Sequence, residues 1–151
     1  MRVRGFEKIK AYENADFPLP ERKTAYSAGY DMVAAEDVTI MPQTVTLIPT
    51  GLKAYMQDDE YLGIHIRSGL AVKHSLGLIN GQGIIDADYY NNSSNEGHIM
   101  VAVFNHGKAA VSINKGERVA QGIFYRYLRT DTDAGADLPT RTGGIGSTGT
   151  K

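Results

Sequence analysis

The chain has no cysteine among its 151 residues. That excludes a disulfide framework and any thiolate metal site, and it suits a reducing compartment. Charge of one sign is also missing: 16 Lys and Arg stand against 17 Asp and Glu, a net charge of -1. No overall field is available to hold nucleic acid or an acidic membrane, so an anionic ligand has to be caught by local donors. Long hydrophobic runs are absent. Met1-Arg2-Val3-Arg4-Gly5-Phe6-Glu7-Lys8 holds no apolar core of a signal peptide, and no later run approaches the ~20 residues of a membrane span. A soluble, cytoplasmic protein is expected. There is no internal repeat and no long helical periodicity. The Gly-x-x-x-x-Gly-Lys-Ser/Thr spacing of a P-loop occurs nowhere, which argues against a kinase or P-loop NTPase. The length fits one domain with a single core.

What is present is a rhythm of short apolar stretches broken by Gly, Pro, Asn and Asp, the pattern of β structure. Val38–Ile40, Thr44–Ile48, Tyr61–Ile66, His98–Phe104 and Val119–Leu128 are rich in β-branched or aromatic residues. They close on turn signals such as Met41-Pro42 and Asn105-His106-Gly107, so each is predicted as a strand. Only Ser68–Ser75 is predicted to wind into a helix, with Ser68 as its cap. Many short strands without intervening helices imply an all-β sandwich, jelly roll or barrel. From Thr130 the composition shifts to Thr, Asp, Ala and Gly with little to bury. This divides the chain into a β domain over 1–129 and a flexible, glycine-rich arm over 130–151.

Gly83-Ile84-Ile85-Asp86-Ala87-Asp88-Tyr89 sets two carboxylates among residues that favour a hairpin. In a strand Asp86 and Asp88 share one face while Ala87 points the other way. Unless a metal, a basic group or water relieves them, crowding raises the pKa of one, which is how a general base is poised near neutral pH. The plainer reading is a solvated turn with two surface acids. Ile66-Arg67-Ser68-Gly69-Leu70-Ala71 ends a predicted strand and opens the short helix. A guanidinium, a hydroxyl and helix N–H groups could collect there around an anion. Alternatively Ser68 is only a cap and Arg67 a surface charge. In the arm, Arg141-Thr142-Gly143-Gly144-Ile145-Gly146-Ser147-Thr148-Gly149 combines phosphate-type donors with glycines that admit close backbone approach, or it is a frayed tail. His65, His74, His98 and His106 show no ligand spacing and read as structural or surface groups.

Taken in order, these segments resemble the five motifs of the trimeric deoxyuridine triphosphatases (dUTPases). The first looks like Ala28-Gly29-Tyr30-Asp31-Met32 and the second like Arg67-Ser68-Gly69-Leu70-Ala71. The third runs from Asn80 through Gly83 to Tyr89, the fourth is Lys115-Gly116-Glu117-Arg118-Val119-Ala120-Gln121, and the fifth is the glycine-rich tail. The resemblance implies a jelly-roll-like distorted β-barrel that assembles as a homotrimer and hydrolyses dUTP to dUMP and pyrophosphate. Asp86 would activate the attacking water. Asn80 and the backbone around Gly83 and Ile84 would bond the uracil edge, and Tyr89 would pack under the deoxyribose. Arg67, Ser68 and Gly69 would hold the α and β phosphates with Gln121. Arg141, Ile145, Gly146, Ser147 and Thr148 would close over the nucleotide. A magnesium ion would be carried mainly by the triphosphate, with Asp31 near it through water. Arg118 reads as structural, tying strands through a carboxylate or carbonyl. Each site is expected to draw its hairpin, phosphate-binding segments and arm from different subunits.

The chain departs from the family pattern in three places. Ile145 stands where the arm normally carries a phenylalanine. The arm is one residue shorter between Arg141 and Ile145 than the common form. The Tyr90–Gly97 loop is longer than usual and takes no role from the resemblance. Two alternatives remain open. One is a nucleotide-dependent regulatory protein on the same fold, with a protein partner. The other is a dCTP deaminase, although Ala102 occupies the position of that enzyme's glutamate base.

Overall fold

Alternation of inward apolar and outward polar residues along short runs produces the strands of this computed structural model, which describes residues 1–133, 138–141, 143–146 and 148–149. Those strands are β1 (Gly5–Lys8), β2 (Tyr30–Val33), β3 (Val38–Ile40), β4 (Val45–Pro49), β5 (Leu52–Tyr55) and β6 (Glu60–Ile66). They continue with β7 (Leu76–Leu78), β8 (Gly83–Asp86), β9 (Met100–Asn105), β10 (Val111–Ile113) and β11 (Arg118–Arg126). The single α-helix among the described residues is α1 (Ser68–His74). A four-stranded sheet in the order β2-β11-β6-β8 and a three-stranded sheet β4-β9-β7 form the body, with the pairs β1-β5 and β3-β10 at its margins. All named pairings are antiparallel. The result is an all-β, distorted jelly roll whose sheets do not close into one continuous barrel. No helix among the described residues is long and apolar enough to cross a membrane.

The core lies between the sheets. Met32, Ile40, Ile48, Leu62, Ile99, Val101, Val103 and Val119 are essentially sealed from water. Each such side chain contributes about 1.5–3 kcal/mol on burial. In β9 the alternation brings Val101, Val103 and Asn105 inward. Asn105 is tolerated there because its Nδ2 donates to the Ile40 and Ala109 carbonyls at 3.0 and 2.9 Å, and its Oδ1 accepts the Gly107 N–H at 2.9 Å.

Three expectations change in detail. Ser68 is the first helical residue, and Arg67 is the N-cap. The Arg67 N–H still pairs with the Val119 carbonyl at 3.0 Å, so strand pairing runs one residue further and the first turn closes on the Arg67 carbonyl. The segment around Gly83 is a crossover and not a hairpin: β7 pairs with β9 and β8 with β6, in different sheets. Gly81, with φ of +76°, makes the bend between them. Finally, β8 ends at Asp86, and Ala87–Tyr89 forms a 3-10 turn, so Asp86 and Asp88 are not alternate residues of one strand. The other predicted strands and the helix recur with ends shifted by one or two residues.

Candidate active site

The last residue of β8, Asp86, lies opposite Tyr61 of β6, and the chain then tightens into the 3-10 turn carrying Asp88 and Tyr89. The Arg141 side chain meets both acids: Nη2 reaches Asp86 Oδ2 at 2.5 Å, and Nε reaches Asp88 Oδ1 at 3.3 Å. Its backbone N–H donates to Asp88 Oδ2 at 2.8 Å. A guanidinium is therefore the basic group that relieves the paired carboxylates. The arm thus lies on the Asp86–Tyr89 segment of its own chain, whereas the segment and the arm of one site were expected from different subunits. The Arg141 guanidinium also sits 5.8 Å from the Tyr89 ring centroid.

Two hollows open beside this arginine. A cleft of about 900 Å³ is lined by Asp58, Asp86, Asp88, Tyr127, Arg141 and Thr148. A smaller cavity of about 300 Å³ gathers Asn80, Gly83, Ile84, Tyr89, Ile145 and Gly146, six residues the sequence had assigned to one ligand. Besides Ile85 and Arg141, its wall includes Leu47, Met100 and Ala102. Those three were not predicted as site residues. They sit on β4 and β9, where register alone brings Leu47 opposite Ala102. The sequence marked Ala102 only as the place of a deaminase's glutamate base, and Met100 only through the alternation of β9, which aims both away from the core.

Tyr89 is buried, and its hydroxyl donates to the His98 carbonyl at 2.7 Å. Behind it the Tyr90–Gly97 loop is held at many points. Buried Asn92 donates to the Tyr89 carbonyl at 2.7 Å and to Asn95 Oδ1 at 2.8 Å. The outer side is pinned by Lys53, whose ammonium lies 2.6 Å from Asn91 Oδ1 and 2.7 Å from Glu96 Oε2. The Lys53 bond holds the Glu96 carboxyl below the usual range. The Tyr90 hydroxyl donates to Glu7 at 2.5 Å and does the same to that carboxyl, aided by Arg2. Burial pushes the His98 imidazole down, which suits its Nε2 accepting the Gly51 N–H at 2.9 Å.

The other predicted residues gather elsewhere. Arg67 and Ser68 are exposed at the start of α1, with Gly69 after them, and no side-chain bond caps the helix. Gln121 and Asp31 face one another across β11 and β2. Gly29 packs so tightly on the Gln121 side chain that a Cβ there would collide with it, so the first and fourth motifs touch. Arg118 bonds Asp31 at 3.2 Å, in keeping with a structural role. Arg67 lies six positions beyond Tyr61, the partner of Asp86, which at ~3.3 Å per residue separates the two ends by roughly 20 Å. An arginine side chain does not span that distance, so one chain does not bring the two groups together. Ser147 lies outside the described residues.

The chain is thus an all-β scaffold with a small cavity beside paired carboxylates and with exposed Arg67 and Ser68 at the start of α1. Comparison with known proteins makes the class specific. The family model for dUTPase matches residues 15–149. The deoxyuridine 5'-triphosphate nucleotidohydrolase of Lactococcus lactis subsp. lactis is 50% identical over 149 residues, covering 99% of each chain. The crystal structure of a dUTPase from Streptococcus mutans superposes with a TM-score of 0.78 at 47% identity, over 84% of this chain and 98% of that one. A mutant dUTPase of phage phi11 of S. aureus, described with a structural Mg(II) ion, shares the fold with a TM-score of 0.71 at 20% identity, over 86% of this chain and 94% of that one. The chain belongs to the dUTPase family, and it is an enzyme.

Proposed function

We propose that this protein hydrolyses dUTP to dUMP and pyrophosphate through a water activated by Asp86. The observation that carries this reading is the convergence of Asn80, Gly83, Ile84, Tyr89, Ile145 and Gly146 on one small cavity beside Asp86. The water attacks the α-phosphorus in line, the bond to the bridging oxygen of the β-phosphate breaks, and Asp86 takes the proton. Asn80 and the Gly83–Ile84 backbone read the uracil edge. Tyr89, fixed by its bond to the His98 carbonyl, lies flat under the deoxyribose and leaves no space for a 2'-hydroxyl. Ile145 covers the base by apolar contact in place of an aromatic ring. Ala102 in the cavity wall cannot move a proton, which argues against deamination of dCTP.

The phosphates fall to Arg67, Ser68, Gly69 and Gln121, with Arg141, Ser147 and Thr148 of the 130–151 arm turning to the γ end. Among the described residues no three His, Asp or Glu side chains are grouped to hold a cation alone. This donor set fits an ion carried mostly by triphosphate oxygens and water, with Asp31 as its neighbour. Magnesium bound in this way would neutralise charge on the leaving group. The roughly 20 Å between the Arg67 and Asp86 ends supports an assembly in which a neighbouring copy supplies the phosphate donors, and the resemblance to trimeric dUTPases makes that assembly a homotrimer. Cytoplasmic nucleotide metabolism is the setting that fits this activity.

The test is pyrophosphate release from dUTP, dTTP, dCTP and UTP with magnesium, by the native chain and by Asp86→Asn. Release from dUTP alone, lost in the variant, is expected. Equal turnover by the variant, or ammonia from dCTP, overturns the reading.

A further inference from the structure

We infer that the Tyr90–Gly97 loop is the seat of the C-terminal arm, and that Asn95 is a positioning residue coupling arm docking to the orientation of Tyr89. The coupling to substrate rests on the dUTP reading above; the docking does not. The loop is an ordered brace. Asn91 and Glu96 both adopt positive φ, 58° and 65°, an uncommon conformation that its side-chain bonds hold in place. Asn92 Oδ1 accepts the N–H groups of Ser94 and Asn95 at 3.0 and 3.1 Å, which presents the Asn95 side chain toward Tyr89.

Every polar atom of the Asn95 carboxamide is then committed. Its Oδ1 accepts from Asn92 Nδ2 at 2.8 Å and from the Gly97 N–H at 3.0 Å, while its Nδ2 donates to the Tyr89 hydroxyl at 2.9 Å. Two donors face one end and an acceptor faces the other, so the network sets which way the amide points. With the hydroxyl also tied to His98, the outer end of Tyr89 is anchored at two points, which fixes where the long axis of the ring points.

The arm crosses this same carboxamide. Gly144 is buried, and a Cβ added to it would come within 2.8 Å of Asn95 Nδ2 and 3.1 Å of Cγ. Only a glycine lies flush there. On one side of that contact Arg141 reaches Asp86 and Asp88; on the other, Ile145 and Gly146, both exposed, lie along the rim of the small cavity. The Gly144–Asn95 contact therefore sets where Ile145 stands over that cavity. The long loop supplies a polar platform under an arm that carries isoleucine where an aromatic ring would grip the base.

The experiment uses the full chain and two readouts. The first is the rate of tryptic cleavage after Arg141, followed by mass spectrometry without nucleotide. The second is steady-state hydrolysis of dUTP and UTP. Gly144→Ala is expected to speed cleavage and to raise KM for dUTP about tenfold with kcat changed far less, because the lost contact acts on binding. Asn95→Ala is expected to do both and also to narrow the preference for dUTP over UTP. Asn95→Asp keeps the acceptor oxygen but lacks the donor to Tyr89, so it should restore the loop yet still relax the sugar preference; full restoration overturns the coupling. Unchanged cleavage in Gly144→Ala overturns the docking, and this variant lies outside the strands, so a folding failure of Asn95→Ala does not block the test. Faster cleavage with an unchanged KM overturns the link to substrate. If the native chain leaves dUTP intact, the functional reading fails while the cleavage rates still decide the docking.

Discussion

The two ends of the β6 strand are built in opposite ways. At the Tyr61 end, Asp86, Tyr89 and the loop behind them are tied into a dense set of bonds: Arg141 to two carboxylates, Asn92 and Asn95 to Tyr89, Lys53 to Asn91 and Glu96. At the Arg67 end, Arg67 and Ser68 stand exposed and uncapped. One end is organised before any ligand arrives, as base and sugar recognition requires, since a loose pocket discriminates poorly. The other end leaves the Arg67 and Ser68 side chains exposed, with no side-chain bond capping the helix among the described residues, open to the oxygens of a ligand. The difference teaches where ordering costs fall: in folding at the first end, in binding at the second.

The largest effect tests the organised end. Asp86→Asn should lower kcat by about 10³-fold, within the range for loss of a general base, while a nonhydrolysable dUTP analogue still binds; pyrophosphate release and calorimetry check the two halves. Arg67→Ala should raise KM for dUTP by about 10- to 100-fold, as expected for a lost charge-assisted bond, and leave stability within ~0.5 kcal/mol. A large loss of stability there would break the contrast between the ends. Asn92→Ala should show the reverse, costing about 2–3 kcal/mol in denaturant unfolding because it strands buried partners of the loop. Mixing Asp86→Asn chains with Arg67→Ala chains should recover activity, since some mixed sites hold one sound copy of each end.

A pH series sharpens the same comparison. Burial lowers the His98 pKa from the ordinary 6.5. The folded chain therefore favours the neutral ring, and as pH falls through 6.5 the unfolded chain takes up the proton first. Stability should decline from pH 7 toward the lower folded value, and His98→Gln should flatten that decline in thermal melts. Glu7 and Glu96 are also held low, so their share is full above about 4.5 and disappears as pH falls further. Ile145→Phe is the smallest change expected: a few-fold lower KM for dUTP, from a flat ring over the base.

Much of the candidate site was legible in the chain because its residues are neighbours. Gly83 to Tyr89 is one short segment, and a strand followed by a tight turn brings them to one cavity wall. The helix after Arg67 was legible from the helical spacing of Leu70, Ala71 and His74, although its cap is Arg67 and not Ser68. Leu47 and Met100 were not, because only the pairing of β4 with β9 brings them to that cavity, beside the Ala102 that the sequence had marked as the place of a deaminase's base. The Tyr90–Gly97 loop was opaque for another reason. Its Asn and Ser residues read as solvated turn formers, whereas Asn92 is buried and Asn95 is bonded on all sides, a matter of partners that composition does not reveal.

The residues in order determined the all-β class, the family and the chemical types available at each motif, since period-two burial, turn residues and short motifs are local properties. Tertiary packing alone decided that β7 and β8 enter different sheets, that Arg141 settles on Asp86 and Asp88, and that the Arg67 end stands far from the Asp86 end. Those outcomes depend on contacts between residues distant in sequence, whose free energies are set by which partners the fold makes available and not by the residues themselves.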